Sequence, residues 1–566
     1  MSDLQAFLAD ERFTTLDRSL ARHLAAQASS SRWIGHAAAL LSSVLRRGHL
    51  CLDLSQRPSD HFEAAAALQP WPSLTSWRDD LLASGLVAQQ PGEFKPLVLD
   101  VTGRLYLHRY YEYERDLAAR IVERLGSDAA AVGPVTSADS ATQTDIAIDA
   151  VRSRRFMVIA GGPGTGKTTT VVRILVALLT ESPELRISLA APTGKAAHRM
   201  QQSIAAQLAS LPIDEALRER LPRTASTLHR LLGARGDSAF FRHDADRPLA
   251  SDVVIVDESS MVDLPLMAKL FAALRPQARI ILIGDPDQLA SVEVGSVLAD
   301  ITAASTGLGS ALVTLRKPWR FAADSGIGAL CAAIRSGDAD RTLEILDGIE
   351  YPDVTLKSLP AADTLGKALS QTSVMATYRN ALQSDDPVAR LATFETARIL
   401  CATRSGPVGT LRINDTIRDL LSSEELIDDA RGALYHGAPL VVLRNDYALQ
   451  VFNGDSAVLH RTDDEARLHA CFRTGTGELR RVLAARLPEH APLYAMTVHR
   501  SQGSEFDHVL VVLPPRESPI LTRELLYTAV SRARKSVTVW ADPTLIRYAC
   551  LRRVQRASGL TERLTT

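Results

Sequence analysis

Three short stretches hold residues whose type and spacing could do chemistry. The first is "GGPGTGKTTT", Gly161 to Thr170, directly after the apolar run Val158-Ile159-Ala160. The pattern Gly161-x4-Gly166-Lys167-Thr168 is that of a phosphate-binding loop between a strand and a helix. Glycines let backbone N–H groups curl around phosphates at a helix N-terminus. Lys167 would neutralise β- and γ-oxygens and the Thr168 hydroxyl would hold Mg²⁺. The cradle expected for a nucleoside triphosphate is Gly161, Gly162, Pro163, Gly164, Thr165, Gly166, Lys167, Thr168 and Thr169. The second stretch is "VVIVDESSM", about 90 residues on, where Asp257 closes a run of four β-branched residues. An aspartate there binds Mg²⁺, and Glu258 beside it can polarise an attacking water. The third is "LIGDPDQLASVEVG", Leu282 to Gly295, in which a strand ends at Asp285 and Gln288 follows. A glutamine beside the metal strand can sense a γ-phosphate and pass the signal to a bound polymer; taken alone, Asp285, Asp287 and Gln288 also read as a polar turn.

These groups act together only if strands deliver them to one edge. "FMVIA", "RISLAA", "DVVIVDE" and "ARIILIGD" are short apolar β-branched runs, most ending in a Gly, Pro or Asp turn, as in a buried parallel sheet. A second set, "RILCAT", "HVLVVLP" and "SVTVWAD", predicts a second α/β domain. Between about 430 and 490, shorter strand candidates separated by Asn-Gly-Asp and Gly-Thr-Gly turns predict a small β-barrel insertion. Residues 1–115 read as a mainly helical domain broken at Gly48, Pro70 and Pro72, and 116–140 as a helix followed by the small, polar linker "GSDAAAVGPVTSADSA". The remaining divisions are 141–335 and 336–566, one α/β domain each.

Bulk composition narrows the classes. A chain of 566 residues exceeds one compact core, and 46% hydrophobic with 23% charged residues is ordinary for a soluble protein. With a net charge of −1, any polyanion must be held by local basic patches. The five cysteines, Cys51, Cys331, Cys401, Cys471 and Cys550, lack C-x-x-C spacing, so packed thiols in a reducing compartment are expected. "MSDLQAFLADERF" carries no basic n-region or apolar h-region, and no run approaches the about 20 apolar residues of a membrane span, so a cytoplasmic protein without a membrane partner is expected.

The three stretches combine with "LAAPTGKAA" (189–197), "LRKPWRF" (315–321), "YAMTVHRSQGSEFD" (494–507) and "LLYTAVSRARKSV" (525–537) into an ordered series that resembles superfamily 1 helicases. "GHLCLDL" (48–54), "PLVLDVTGRLYLHRYYEYE" (96–114), "TLHRLLG" (227–233) and "LRNDYALQVFNGD" (443–455) further resemble the RecD family, alpha subunits of exodeoxyribonuclease V, the RecBCD complex. The resemblance spans most of the chain. It implies an α/β protein with two RecA-like P-loop NTPase domains, a helical N-terminal docking domain and an SH3-like β-barrel insertion. It also implies ATP and Mg²⁺ as cofactors, single-stranded and end-duplex DNA as substrate, and RecB and RecC as partners in a heterotrimer. The activity implied is an ATP-dependent 5′-to-3′ translocase and helicase of superfamily 1B, in break repair and recombination.

Carried over residue by residue, Gln143 resembles the adenine-reading glutamine and Glu505 a residue near the nucleotide sugar. Lys167, Asp257, Glu258 and Gln288 take the catalytic and coupling roles, while Arg320 and Arg532 resemble the arginines that reach the γ-phosphate across the cleft. Thr193, Gly194 and Lys195 in one domain and Thr497 and His499 in the other resemble the two DNA grips of an inchworm translocase. The rival within the class is a stand-alone superfamily 1B helicase, whose tandem helix–hairpin–helix extension has no counterpart in the first 140 residues. A nuclease centre at "YPDVTLK" (351–357) would want an acid where Thr355 stands, so no nuclease site is expected. A non-enzymatic scaffold has little support, since Lys167, Asp257, Glu258, Arg320 and Arg532 are all present.

Overall fold

A computed structural model describes residues 2–56, 71–90, 92–126, 140–236, 238, 240–316, 325–428, 434–446, 448–461, 467–473 and 479–565 of the chain. Two all-parallel sheets dominate. The first runs Leu312–Leu315, Phe156–Gly161, Arg279–Gly284, Val253–Val256, Ile187–Ala191, Ala225–Thr227. The second runs Val354–Lys357, Ala533–Trp540, Phe506–Val512, Ala397–Cys401, Ala495–Thr497. The apolar runs form these strands because helices cover both faces, so alternation is unnecessary; Phe156–Gly161 and Val253–Val256 are buried at every residue. Removing one such Val or Ile from water contributes roughly 1.5–3 kcal/mol. Parallel strands point their C-terminal ends to one edge, and ligands of such sheets sit in the crevice beyond that edge. Gly161, Val256 and Gly284 end three neighbouring strands, which places the phosphate loop, Asp257 and Asp285 side by side.

The insertion is a five-stranded antiparallel sheet, in the order Leu479–Leu483, Leu468–Arg473, Ser456–Arg461, Pro439–Val442, His490–Pro492. Among the described residues the two outer strands of this order are not paired with each other.

Packing shifts several expected boundaries. Among the described residues the N-terminal unit carries four helices, including Thr15–Gln27 and Ile34–Arg46. It adds a small sheet of Leu52–Asp53, Arg104–Leu107, Leu97–Leu99 and Val87–Ala88, strands too short for a periodicity reading to find. Helix His108–Leu125 runs straight through the division at 115, and its Leu117, Ala118 and Ile121 are buried with the core beside the first parallel sheet. Helix Gly326–Ser336 falls ahead of the division at 335, yet Ile327, Leu330 and Ile334 lie in the core of the second parallel sheet. The reason is local: Asp353, in the stretch weighed as a nuclease centre, accepts hydrogen bonds from the Gly326 and Ile327 amides at 3.0 and 3.1 Å and caps this helix.

The chain then crosses back. After helix Pro543–Leu551 it leaves the second domain, and helix Leu560–Thr565 buries Leu560 and Leu564 in the core of the first. On the way the Leu50 amide donates to Ala557 O at 2.9 Å, and Arg556 donates to the Ser291 and Gly295 carbonyls at 2.8 and 2.7 Å. The anchor is Glu114, fully buried on helix His108–Leu125. It accepts from the Gly559 amide at 2.9 Å, Ser558 Oγ at 3.1 Å, Arg563 Nε at 3.0 Å and Tyr106 Oη at 3.2 Å. Arg563→Ala would leave that carboxylate without its counter-charge. It should cost on the order of 3 kcal/mol, read as a lower urea midpoint, and expose the 552–565 segment to proteolysis.

Candidate functional site

The phosphate loop is built by backbone conformation. Gly164 and Gly166 adopt φ of +73° and +86°, values side-chain-bearing residues avoid, and Gly166 caps helix Lys167–Glu181. A Cβ on Gly161 would lie 2.6 Å from Thr165 Oγ1, so the first glycine is needed for space. Lys167 Nζ donates to Gly161 O at 2.6 Å and Gly162 O at 2.9 Å, which holds the ammonium over the loop mouth. Pro163 and Thr168 are partly buried and Thr169 is exposed in the first helical turn. Gln143 is almost fully buried and its Oε1 accepts from the Arg316 amide at 3.2 Å, one residue past Leu315, which pairs with Gly161. It therefore flanks the loop through the neighbouring strand Leu312–Leu315.

Asp257 and Glu258 follow Val256. The Glu258 amide donates to Asp257 Oδ1 at 2.8 Å, and Glu258 itself sits in the left-handed region at φ +51°. This is strained for a side-chain-bearing residue and a common mark of a working site. Burial first, and Glu258 next, push the Asp257 carboxyl well above its usual range, against the pull of Lys167 and Arg199. A divalent cation reverses that logic. Among the described residues no group of three His, Cys, Asp or Glu side chains could hold a metal by itself. Asp257 and the Thr168 hydroxyl are the groups here that could hold a divalent cation together with phosphate oxygens.

The groups of the third stretch reach the second domain. Asp285 Oδ2 accepts from Gln288 Nε2 at 3.0 Å and from Tyr527 Oη at 2.9 Å. Gln288 Oε1 in turn accepts from Arg532 Nη2 at 2.7 Å. Arg532 also donates to Thr528 O and Ser504 O, both at 3.2 Å, and is buried with Asp285 and Gln288. The Leu289 amide donates to Thr528 Oγ1 at 2.9 Å, and Gln502 Nε2 donates to Leu289 O at 2.6 Å. Arg320 lies outside the described residues. Glu505 is engaged by Arg199 and by Arg534, the latter at 3.1 Å.

The expected DNA grips face the insertion and the domain boundary. Thr193 caps helix Gly194–Ser210, its Oγ1 accepting from the Ala196 amide at 3.2 Å, and a Cβ on Gly194 would lie 3.6 Å from Phe452 Cβ. Burial lowers Lys195 to about 8, with Glu395 opposing. Thr497 ends strand Ala495–Thr497, and His499 is held below its usual value by burial and then by Arg556.

Tyr527, Thr528, Gln502 and Arg199 escaped the sequence reading. A signal existed for two of them. In "LLYTAVSRAR", Thr528, Ser531 and Arg532 recur at i, i+3, i+4 on an otherwise apolar helix, marking a buried polar face, and Tyr527 adjoins it. A Cβ on Gly162 would lie 2.9 Å from Tyr527 Oη, so the phosphate loop touches the second domain directly. Gly162→Ala should lower ATP turnover by about tenfold or more by displacing that hydroxyl. Adding Tyr527→Phe should recover part of the loss, and steady-state ATPase on the single and double variants measures both.

Residues 9–106 match the family described as RecBCD enzyme subunit RecD, N-terminal domain; 143–294 match the AAA domain and 492–540 the UvrD-like helicase C-terminal domain. The RecBCD enzyme subunit RecD of Mycolicibacterium smegmatis is 40% identical over 93% of this chain and 93% of its own length. The ATP-dependent RecD2 DNA helicase of Deinococcus radiodurans is 33% identical over 82% of this chain and 59% of its own. Among solved structures, Bacteroides Pif1 bound to ssDNA aligns with 72% of this chain and 94% of its own at a TM-score of 0.39 and 17% identity. With 40% identity sustained over nearly the whole length, and the N-terminal unit matched as well as the motor, the chain belongs to the RecD family of RecBCD subunits.

Proposed function

We propose that this chain is an ATP-dependent 5′-to-3′ single-stranded DNA translocase and helicase, working as the RecD subunit beside RecB and RecC in a cytoplasmic RecBCD-type enzyme. The observation that carries the motor reading is Arg532: a buried guanidinium at the domain boundary whose hydrogen bonds go to Gln288, Thr528, Ser504 and Ser531, all neutral acceptors. Among the described residues no carboxylate pairs with it, which leaves a buried cation poised for an anion that arrives during the cycle. Its link to Gln288 and Asp285 ties that event to the strand end beside the phosphate loop.

ATP with Mg²⁺ supplies the phosphoanhydride whose hydrolysis drives the cycle. Thr168 and Asp257 would hold the metal, Lys167 the β- and γ-oxygens, and Glu258 would orient the attacking water and take its proton. Gln143 would face the base. Arg320 and Arg532 would meet the γ-phosphate as the domains close, and Gln288 would carry closure to the DNA grips at Thr193–Lys195 and Thr497/His499.

The division that supports this cycle is an N-terminal docking unit, a first RecA-like domain from about 141 to 316, and a second from 325 onward. The second domain carries an SH3-like barrel at about 430–490, whose antiparallel sheet faces Gly194 through Phe452. Among the described residues no helix is long and apolar enough to cross a membrane. The 40% identity to the Mycolicibacterium subunit, against 33% to the Deinococcus helicase, favours the complex-bound form over the stand-alone one.

Strand displacement by the full chain, alone and reconstituted with its partner subunits, tests the proposal on duplexes with a 5′ or a 3′ single-stranded tail. Unwinding from the 5′ tail only, lost in Lys167→Gln, is expected. Unwinding from the 3′ tail would overturn the assigned direction.

A further inference from the structure

Helix Gly194–Ser210 begins at the expected DNA grip, and one turn past Lys195 it presents Arg199. That side chain points across the domain boundary. Arg199 Nη1 donates to Gly503 O at 3.4 Å and Nη2 pairs with Glu505 Oε1. The helix is seated close to the same turn, since a Cβ on Gly503 would lie 3.4 Å from Ala196 Cβ, and Gly503 takes φ +69°. Glu505 is nearly buried and divides its oxygens. Oε1 serves Arg199 of the first domain, while Oε2 accepts from Arg534 Nε and Nη2 of the second, both at 3.1 Å. Burial works against the Arg199 charge, but Glu505, with help from Glu258 and Asp257, more than offsets it. Arg199 therefore feels both the acid of the opposing domain and the acidic pair at the nucleotide site.

We propose that Arg199 and Glu505 form a releasable ionic latch between the two domains, and that Arg199 is the positioning residue through which the DNA-facing end of helix Gly194–Ser210 follows the nucleotide cleft. Release is feasible because Arg534 stays with Glu505 when the domains part, so no buried carboxylate is stranded. Arg199, about a third exposed, can return to water or turn toward Asp257 and Glu258. Closure restores a charge-assisted contact, which is directional and short-ranged, and pulls the helix with it. The latch rests on the DNA-motor reading, and it assigns Glu505 a role other than contact with the nucleotide sugar.

The test is a double-mutant cycle on the full chain: wild type, Arg199→Ala, Glu505→Gln and the pair, each assayed for ATPase with and without oligo-dT. Each single change should cut DNA stimulation by ~5-fold or more, the scale of a modest coupling between sites. The double variant should be no worse than the poorer single, KM for ATP should stay within about twofold, and Arg199→Lys should keep most of the stimulation. Additive losses would overturn the latch. So would a raised KM in Glu505→Gln alone, which would return Glu505 to the nucleotide. A wild-type chain indifferent to DNA would contradict the motor reading and the latch together. If an alanine variant fails to fold, Arg199→Gln with Glu505→Gln gives the cycle with side-chain volume kept and the ion pair removed.

Discussion

The structure turns on one buried cation. Arg532 lies inside the molecule at the meeting of two parallel sheets, and its hydrogen bonds end on a carboxamide, two carbonyls and a hydroxyl. Removing a guanidinium from water is costly unless good acceptors surround it, so its neighbours must hold fixed places. Gln288 is fixed by Asp285, Asp285 by the end of strand Arg279–Gly284, and that strand by its pairing with the one that launches the phosphate loop. Tyr527 closes the circuit by bonding Asp285 while standing against Gly162. A change at the phosphate loop therefore meets the second domain within two side chains.

Around this point the chain places ties of different strength. The tail that returns from the second domain is held by the buried Glu114 cluster and by Leu560 and Leu564 in the first core, contacts with no cheap way to open. The Glu505 contact sits between two arginines, one from each domain, and can change partners. A firm anchor on one side and an exchangeable contact on the other favour hinge motion over free separation.

Much of this was legible in the sequence, for physical reasons. Gly164 and Gly166 are dictated by local geometry, a positive φ in a strand-to-helix turn, and Lys167 and Asp257 stand where that turn and a strand end put them. Their type and spacing carry the signal wherever the rest of the chain goes. The β-branched runs announced both sheets because strands buried on two faces have no freedom to be polar. What stayed hidden depends on long-range contacts. Arg199 looks like any cation on a surface helix until Gly503 and Glu505 arrive from about 300 residues away. Helix Gly326–Ser336 was assigned to the wrong side because its cap, Asp353, lies beyond it in sequence. The returning tail has no periodic pattern longer than the six-residue helix Leu560–Thr565, and two leucines cannot announce which core they will fill.

The central claim is that nucleotide binding moves the two domains through Arg532. The most direct measurement is the distance between spin labels on Phe240→Cys in the first domain and Leu411→Cys in the second, both exposed sites in a chain whose native cysteines are all buried. The distance should shift when an ATP analogue, Mg²⁺ and single-stranded DNA are added, and the shift should vanish when Arg532→Ala is introduced. A distance that ignores nucleotide, or a full shift that survives the loss of Arg532, would contradict the account.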